Sequence, residues 1–357
     1  MKKFLAFATL ASITLVGCVN DEKMEMTSDA QKISFDAPVM STQTRAEVTG
    51  EIVGVDYPDT EKFKVFAKQT DGDLATWDGA ADFWTGAEKV SSPVSDGTNW
   101  YTTNDYYWPR GNYKLSFAAY SPSDVDGVTY ADATGFKVEN FAVNGTVASQ
   151  VDLMYAYQGN CTGEVNGTSG VGLDFKHALS SVVFSAQNTN KNASYTITKV
   201  KVIGKFVTTA TFTEKNTPTW AGTASATDVT YTVYENTTGV TLDAATTGNN
   251  PEAYITGKTS TAGTTSALLP IPQDVPADAK VVITYTETPS NGAKATTHEK
   301  EVKLKDFNKS GAGSETIENW AVTNRYTYVF KFGETDKIFF VPKVLDWTDG
   351  GTVYATL

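Results

Sequence analysis

The chain has 357 residues, of which 40% are hydrophobic and 12% aromatic, and it carries a formal net charge of −12. That length suggests two domains of roughly 100–200 residues each, and the apolar content is enough for real cores, which excludes a disordered chain. The acidic balance excludes nucleic acid as a partner, because phosphate contacts need a dense basic patch that these lysines do not form; it serves mainly solubility.

The first residues, MKKFLAFATLASITLVGC, place two lysines before an apolar run from Phe4 to Val16. The run is too short to span a bilayer, so residues 1–17 read as an export signal outside the fold. Leu15-Val16-Gly17-Cys18 matches a bacterial lipobox, and Cys18 is the expected lipidation site; an ordinary secretory signal that happens to end in cysteine is the other reading. The acidic pair Asp21-Glu22 resembles the surface-export signal of Bacteroidetes lipoproteins. More than one acyl chain on Cys18 would anchor the protein firmly, whereas a single chain binds only marginally. Lipidation leaves Cys161 as the remaining cysteine, so no intrachain disulfide is expected.

Residues 18–45 read as a lipidated propeptide. Within it Ile33, Phe35 and Ala37 alternate with Ser34 and Asp36, the period of a half-buried strand. A polar run, Ser41–Thr44, then leads to Arg45 and the small Ala46, a site open to a protease. Residues 46–169 are expected to form a first β-sandwich. Its clearest strand is Lys62–Lys68, with Phe63, Val65 and Ala67 on one face and the turn Thr70–Asp73 after it. Trp77–Val94 reads as a loop or broken hairpin, and Tyr113–Tyr120 as a strand stopped by Ser121-Pro122. Between them lies a dense aromatic block with Trp100, Tyr106, Tyr107 and Trp108. Such rings serve either a core or a sugar-stacking platform; the core is the preferred reading, because Trp and Tyr bury large areas. Gly159–Gly170, rich in Gly, Asn, Thr and Ser, reads as a linker holding Cys161 in a polar loop.

Residues 170–357 are expected to form a second sandwich. Strand patterns occur at Leu173–Phe184, Thr196–Ile203, Val229–Tyr234, Leu268–Val275, Lys280–Thr286 and Tyr326–Phe332, and again from Ile338. Helical spacing is not sustained over three turns anywhere, so the fold class is all-β, with two β-sandwiches in tandem. The terminal Thr352–Leu357 places Val353, Ala355 and Leu357 on one face; it is either the last strand of its own domain or a strand offered to a neighbour.

Catalytic patterns are missing. The two histidines, His177 and His298, lie far apart, and His298-Glu299 lacks the second histidine of a zinc-protease helix. Gly257-Lys258-Thr259 is preceded by Glu252 where a phosphate loop needs glycine, and no G-x-S-x-G elbow occurs. His177 reads as a structural histidine, and the pairs Asp71/Asp73 and Asp124/Asp126 as exposed turns lacking the ligand count for a cation. No enzyme activity, metal or cofactor is expected.

These pieces together resemble the fimbrillin family of Bacteroidales, the type V pilins and their accessory subunits. The matching stretches are the lipobox at Cys18, the I-x-F strand with Thr44-Arg45-Ala46, and Tyr107-Trp108-Pro109 leading into Lys114–Pro122. Asp152–Ala156, Leu173–Phe184, the LLPIPQ run from Leu268 and Val344–Gly351 follow in the family's order. The resemblance implies two transthyretin-like sandwiches exported as an outer-membrane lipoprotein of the cell surface. It also implies cleavage by an Arg-specific protease between Arg45 and Ala46, which removes the strand carrying Ile33, Phe35 and Ala37. A strand from another fimbrial subunit then fills the groove, and the residues Val353, Ala355 and Leu357 match the donor end. Tip and anchor subunits depart from that cycle, so the alternative is a lipid-anchored adhesin or glycan-binding lipoprotein that meets host or bacterial surface ligands.

Overall fold

The computed structural model describes residues 31–36, 61–91, 99–246, 250–257, 267–307 and 316–333, and the backbone alone of 338–341, 348–349 and 354–356. These belong to one unit, Gln31–Leu357; Met1–Ala30 is a separate unit, and Cys18 within it, like Ala37, Arg45, Ala46, Val353 and Leu357, lies outside the described residues. The fold is nearly all β. Among the described residues the helical elements are one turn at Gly163–Asn166 and 3-10 turns at Val147–Ser149 and Leu304–Asp306, and none is long and apolar enough to cross a membrane.

An antiparallel sheet runs in the order Lys176–His177, Met154–Cys161, Tyr113–Ser121, Lys62–Asp71, Glu88–Ser91, Tyr101–Thr102. Lys62–Asp71 obeys the alternation of its sequence: Phe63, Val65 and Ala67 are buried, and Lys64 and Phe66 between them are only half-buried. Its neighbour Tyr113–Ser121 is buried on both faces, which is why its sequence runs apolar without alternation. Leu115, Phe117 and Ala119 enter a first core with Ile33, Phe35, Phe63 and Phe175. Ala118 and Tyr120 face a second core, closed from the other side by the sheet Pro218–Gly222, Thr209–Glu214, Gly135–Ala142, Val128–Ala131. There Tyr155 meets Phe136 at 5.8 Å and Phe212 at 5.5 Å.

A third core lies between two further sheets. One is antiparallel, in the order Val229–Leu242, Ala193–Gly204, Lys280–Pro289, Thr296–Lys303. In Ala193–Gly204 the buried positions change phase, from Tyr195 and Ile197 to Val200 and Val202. A bulge between Ile197 and Lys199 absorbs the extra residue and keeps all four side chains on the core face. The other sheet runs Ala253–Tyr254, Ser181–Asn188, Asn324–Phe332, Ile338–Val341, Tyr354–Thr356. Ser181–Asn188 pairs in parallel along its whole length with Arg325–Phe332, and Phe184 stacks on Tyr328 at 5.7 Å.

Two sequence expectations are corrected. Gly159–Gly170 is not a linker: Met154–Cys161 is a strand, Thr162 Oγ1 caps the short helix by accepting from Val165 N at 3.3 Å, and Gly170 N donates to Asn166 O at 2.9 Å. Cys161 is accordingly buried, and burial pushes its thiol pKa up to about 12. Leu268–Val275 is an extended connector rather than one strand; Leu268 bridges Val182, and Gln273–Asp274 pairs with Asn319–Trp320. His177 is buried with Nδ1 2.9 Å from Asp152 Oδ2, a structural pair inside the fold.

Candidate functional site: the seat of the opening ribbon

Gln31–Asp36 lies between two stretches distant in sequence. On one edge it runs antiparallel to 99–108, with Lys32 opposite Tyr107 and Phe35 opposite Trp100. On the other edge it runs parallel to Val171–Gly172, with Phe35 beside Val171 and Asp36 beside Gly172. Trp108 N donates to Gln31 O at 3.1 Å, Ile33 N to Tyr106 O at 2.8 Å, and Phe35 N to Trp100 O at 2.8 Å. Trp100 N returns a bond to Phe35 O at 2.9 Å, while Val171 N and Leu173 N donate to Ser34 O and Asp36 O at 2.9 and 2.8 Å. Each such bond contributes about 0.5–1.5 kcal/mol net. Taking the ribbon away would strand four donors, the amides of Trp100, Trp108, Val171 and Leu173, at the walls of an apolar slot.

The side chains complete the seat. Ile33 and Phe35 are both 0% exposed. Phe35 meets Phe117 edge-on at 5.3 Å and Phe63 edge-on at 6.1 Å, the T-shaped geometry that ring quadrupoles favour. Burying an apolar side chain of this size contributes about 1.5–3 kcal/mol. Behind the ribbon, Gly170 has φ +79°, and a Cβ there would come within 3.1 Å of Asp36 N and the Phe35 carbonyl carbon. Glycine is therefore required both for the turn and for the close approach of the two backbones. At the solvent edge, Lys32 Nζ lies 2.5 Å from Asp105 Oδ1 and 4.7 Å from the centre of the Tyr101 ring.

Both walls have supports that do not involve the ribbon. The 99–108 wall is tied to Glu88–Ser91 through Tyr101–Thr102, and Glu88 accepts from Tyr106 Oη at 3.1 Å and from Asn104 Nδ2 at 3.2 Å. Burial, the Glu88 bond and the Glu88 charge all push the Tyr106 hydroxyl pKa up, so it stays a donor. The opposite wall continues from the capped turn at Gly163–Asn166.

The aromatic block of the sequence turns out to be this wall. Trp100 is buried 5.8 Å from Phe63, Tyr106 packs 4.7 Å from Trp84, and Trp108 lies 6.2 Å from Phe117. Trp100, Tyr106 and Trp108 pack on the first core, which retains the core reading for them and counts against the sugar-stacking platform, while Tyr107 stands opposite Lys32 and does not join that core. At the other end of the chain, Ala355 pairs with Phe340 across the antiparallel ladder of Tyr354–Thr356 and Ile338–Val341. Among the described residues no group of three or more His, Cys, Asp or Glu is placed to hold a metal ion. Sequence reasoning found Ile33 and Phe35 but missed Gly170, Glu88 and Asp105, whose roles depend on contacts far along the chain.

A family model described as fimbrillin-like matches residues 44–347. The fold is similar to that of a fimbrial protein from Bacteroides vulgatus, at 18% identity and a TM-score of 0.55, over 88% of this chain and 99% of that one. It also aligns with a candidate cell adhesion protein from Bacteroides uniformis, at 14% identity and a TM-score of 0.48, over 89% of this chain and 99% of that one. A fimbrial assembly protein from Parabacteroides distasonis aligns at 10% identity and a TM-score of 0.34, over 88% and 96%. No curated protein sequence matches the chain.

Proposed function

Because the chain belongs to the fimbrillin-like family, we propose that it is a subunit of surface fimbriae whose opening ribbon is a provisional strand, exchanged during assembly. In this reading the precursor is lipidated at Cys18 and held at the outer membrane. An Arg-specific protease cuts between Arg45 and Ala46, and the ribbon carrying Ile33, Phe35 and Ala37 departs. A strand from the C-terminal end of another subunit, with Val353, Ala355 and Leu357 as the candidate donor face, takes the vacated place. The function is mechanical and needs no catalytic residue.

One observation carries this reading. Ile33 and Phe35 are fully buried in a core otherwise built from residues 63–175, yet both precede Arg45, the candidate cleavage site. A strand whose edge partners all lie beyond Arg45 in the sequence is separated from their chain by a single cut at that residue. The vacated slot exposes apolar pockets and unpaired amides, a strong drive for β-augmentation by another strand. Replacing Arg45 by Ala tests it: folded, lipidated monomer should accumulate without fimbriae. Normal fimbriae from that variant would overturn the proposal.

A further inference from the structure

Away from the ribbon's seat, the second core ends in a small aromatic shelf. We propose that this shelf, with Tyr157 in front of Tyr130 and Trp77, binds a neutral sugar by stacking the C–H face of a β-linked galactose or glucose unit on the Tyr157 ring. Strand exchange is not needed for this. Tyr157 belongs to Met154–Cys161 and pairs with Ala118, so its side chain leaves the sheet on the side of the second core. It nevertheless stands outside that core, and 46% of it is exposed. The ring lies back along its own strand. A Cβ at Gly159 would come within 2.9 Å of Tyr157 Oη and 3.3 Å of Cε1 and Cζ, so only glycine leaves the ring its place. Tyr130 runs parallel to it within 7°, the centroids 5.9 Å apart. Trp77, buried, meets Tyr130 edge-on at 4.6 Å and Tyr157 at 6.3 Å. Its position is fixed in turn, because the amides of Trp77 and Asp78 donate to the two carboxylate oxygens of Asp132 at 2.6 and 3.0 Å.

An apolar ring holds a sugar, and a few placed polar groups orient it. Ser116 Oγ accepts from Asn160 N at 3.0 Å and turns its own proton toward Tyr157 Oη, which leaves the Tyr157 proton to donate outward. Asn160 Oδ1 accepts from Leu74 N at 2.7 Å. The amide nitrogen beside it has no partner among the described residues and is held in place as a second donor. Aromatic rings also attract cations, but here that place is taken. Lys68 Nζ lies 5.9 Å from the centre of the Trp77 ring and 2.7 Å from Asp82 Oδ1, and it repels a second cation. The Asp132 carboxylate, engaged by two backbone amides, is not free to draw one in. Acidic sugars are disfavoured by Asp132 itself and by the net charge of −12. An exposed ring flanked by two neutral donors suits a neutral sugar best.

The test presents the full chain, clustered on an antibody so that weak sites act together, to an array of neutral, sialylated and sulfated glycans. Neutral glycans ending in β-galactose or β-glucose should bind. Tyr157→Ala should lower that binding at least about tenfold, through loss of the stacked ring. Tyr157→Phe keeps the ring and removes one donor, so the loss should be about threefold. Gly159→Ala should weaken binding with Tyr157 still present, because the added methyl displaces the ring. Binding that survives Tyr157→Ala, binding confined to sialylated or sulfated glycans, or no glycan binding at all would overturn the inference. A second measurement uses the unaltered chain and so does not depend on how a variant folds. In saturation-transfer NMR with lactose, the galactose protons of the C–H face should receive more magnetisation than those of the opposite face. Equal transfer to both faces, no transfer, or displacement of lactose by an arginine ester would each count against the sugar site.

Discussion

The two ends of the molecule close their cores in different ways. The third core is closed by Ser181–Asn188 and Asn324–Phe332, parallel over eight residue pairs and joined through a long stretch of the same unit. The first core is closed by Gln31–Asp36, which contributes two fully buried side chains and has strand partners on both edges. The forces are the same in both: ladder hydrogen bonds, buried rings and glycines where backbones approach. The difference is connectivity. A closing strand embedded in the chain leaves only by unfolding its domain, whereas the ribbon, under the proposed cleavage at Arg45, would be separated from its partners by one cut. On the proposed reading, an ordinary core contact would become a replaceable part without any special chemistry at the contact itself.

The largest effect that separates the two closures comes from ring deletion. Phe35→Ala should destabilise the uncut precursor by about 3–5 kcal/mol and leave the form that begins at Ala46 unchanged. Phe184→Ala, in the third core, should destabilise both forms by a similar amount. Chemical denaturation of precursor and cut protein measures this, and equal sensitivity of both forms to Phe35→Ala would break the comparison.

Amide exchange gives the next test. In the precursor, the amides of Trp100, Trp108, Val171 and Leu173 are bonded to the ribbon. After cleavage and loss of the ribbon they should exchange at least tenfold faster, since about 1.4 kcal/mol of lost protection already corresponds to that factor. The amides of Val182 and Phe184, bonded to Leu268 O and Thr256 Oγ1, should not change. Thiol labelling sharpens the same point. Burial holds the Cys161 pKa near 12, so at pH 8 the folded precursor should resist alkylation. A raised pKa means the thiolate is scarce until the site opens, so labelling should quicken once the ribbon leaves. The smallest effect belongs to Lys32→Ala: its partner Asp105 is largely exposed, so precursor stability should fall by no more than about 1 kcal/mol.

Much of this architecture is legible in the sequence wherever the physics is local. Lys62–Lys68 alternates and is a strand with the expected face inward, and Ile33 and Phe35 read as buried because their period is two. The aromatic block reads as core on the area argument alone; Trp100, Tyr106 and Trp108 do pack there, whereas Tyr107 stands beside Lys32 instead. Gly159–Gly170 misleads because Gly, Asn, Thr and Ser compose a tight capped turn as readily as a linker, and only the contact with the ribbon tells them apart. The bulge after Ile197 is hidden because a strand that changes phase looks like a weaker pattern. Glu88, Asp105 and Gly170 carry no signal of their own, for each acts on residues that lie far off in sequence.

The central claim is that the opening ribbon is present in the precursor and absent from the working protein. Determining the N-terminal residue of fimbrial protein sheared from cells tests it most directly. The account predicts that the mature chain begins at Ala46; a chain that still begins at lipidated Cys18 in assembled fimbriae, with Ile33 and Phe35 retained, would contradict it.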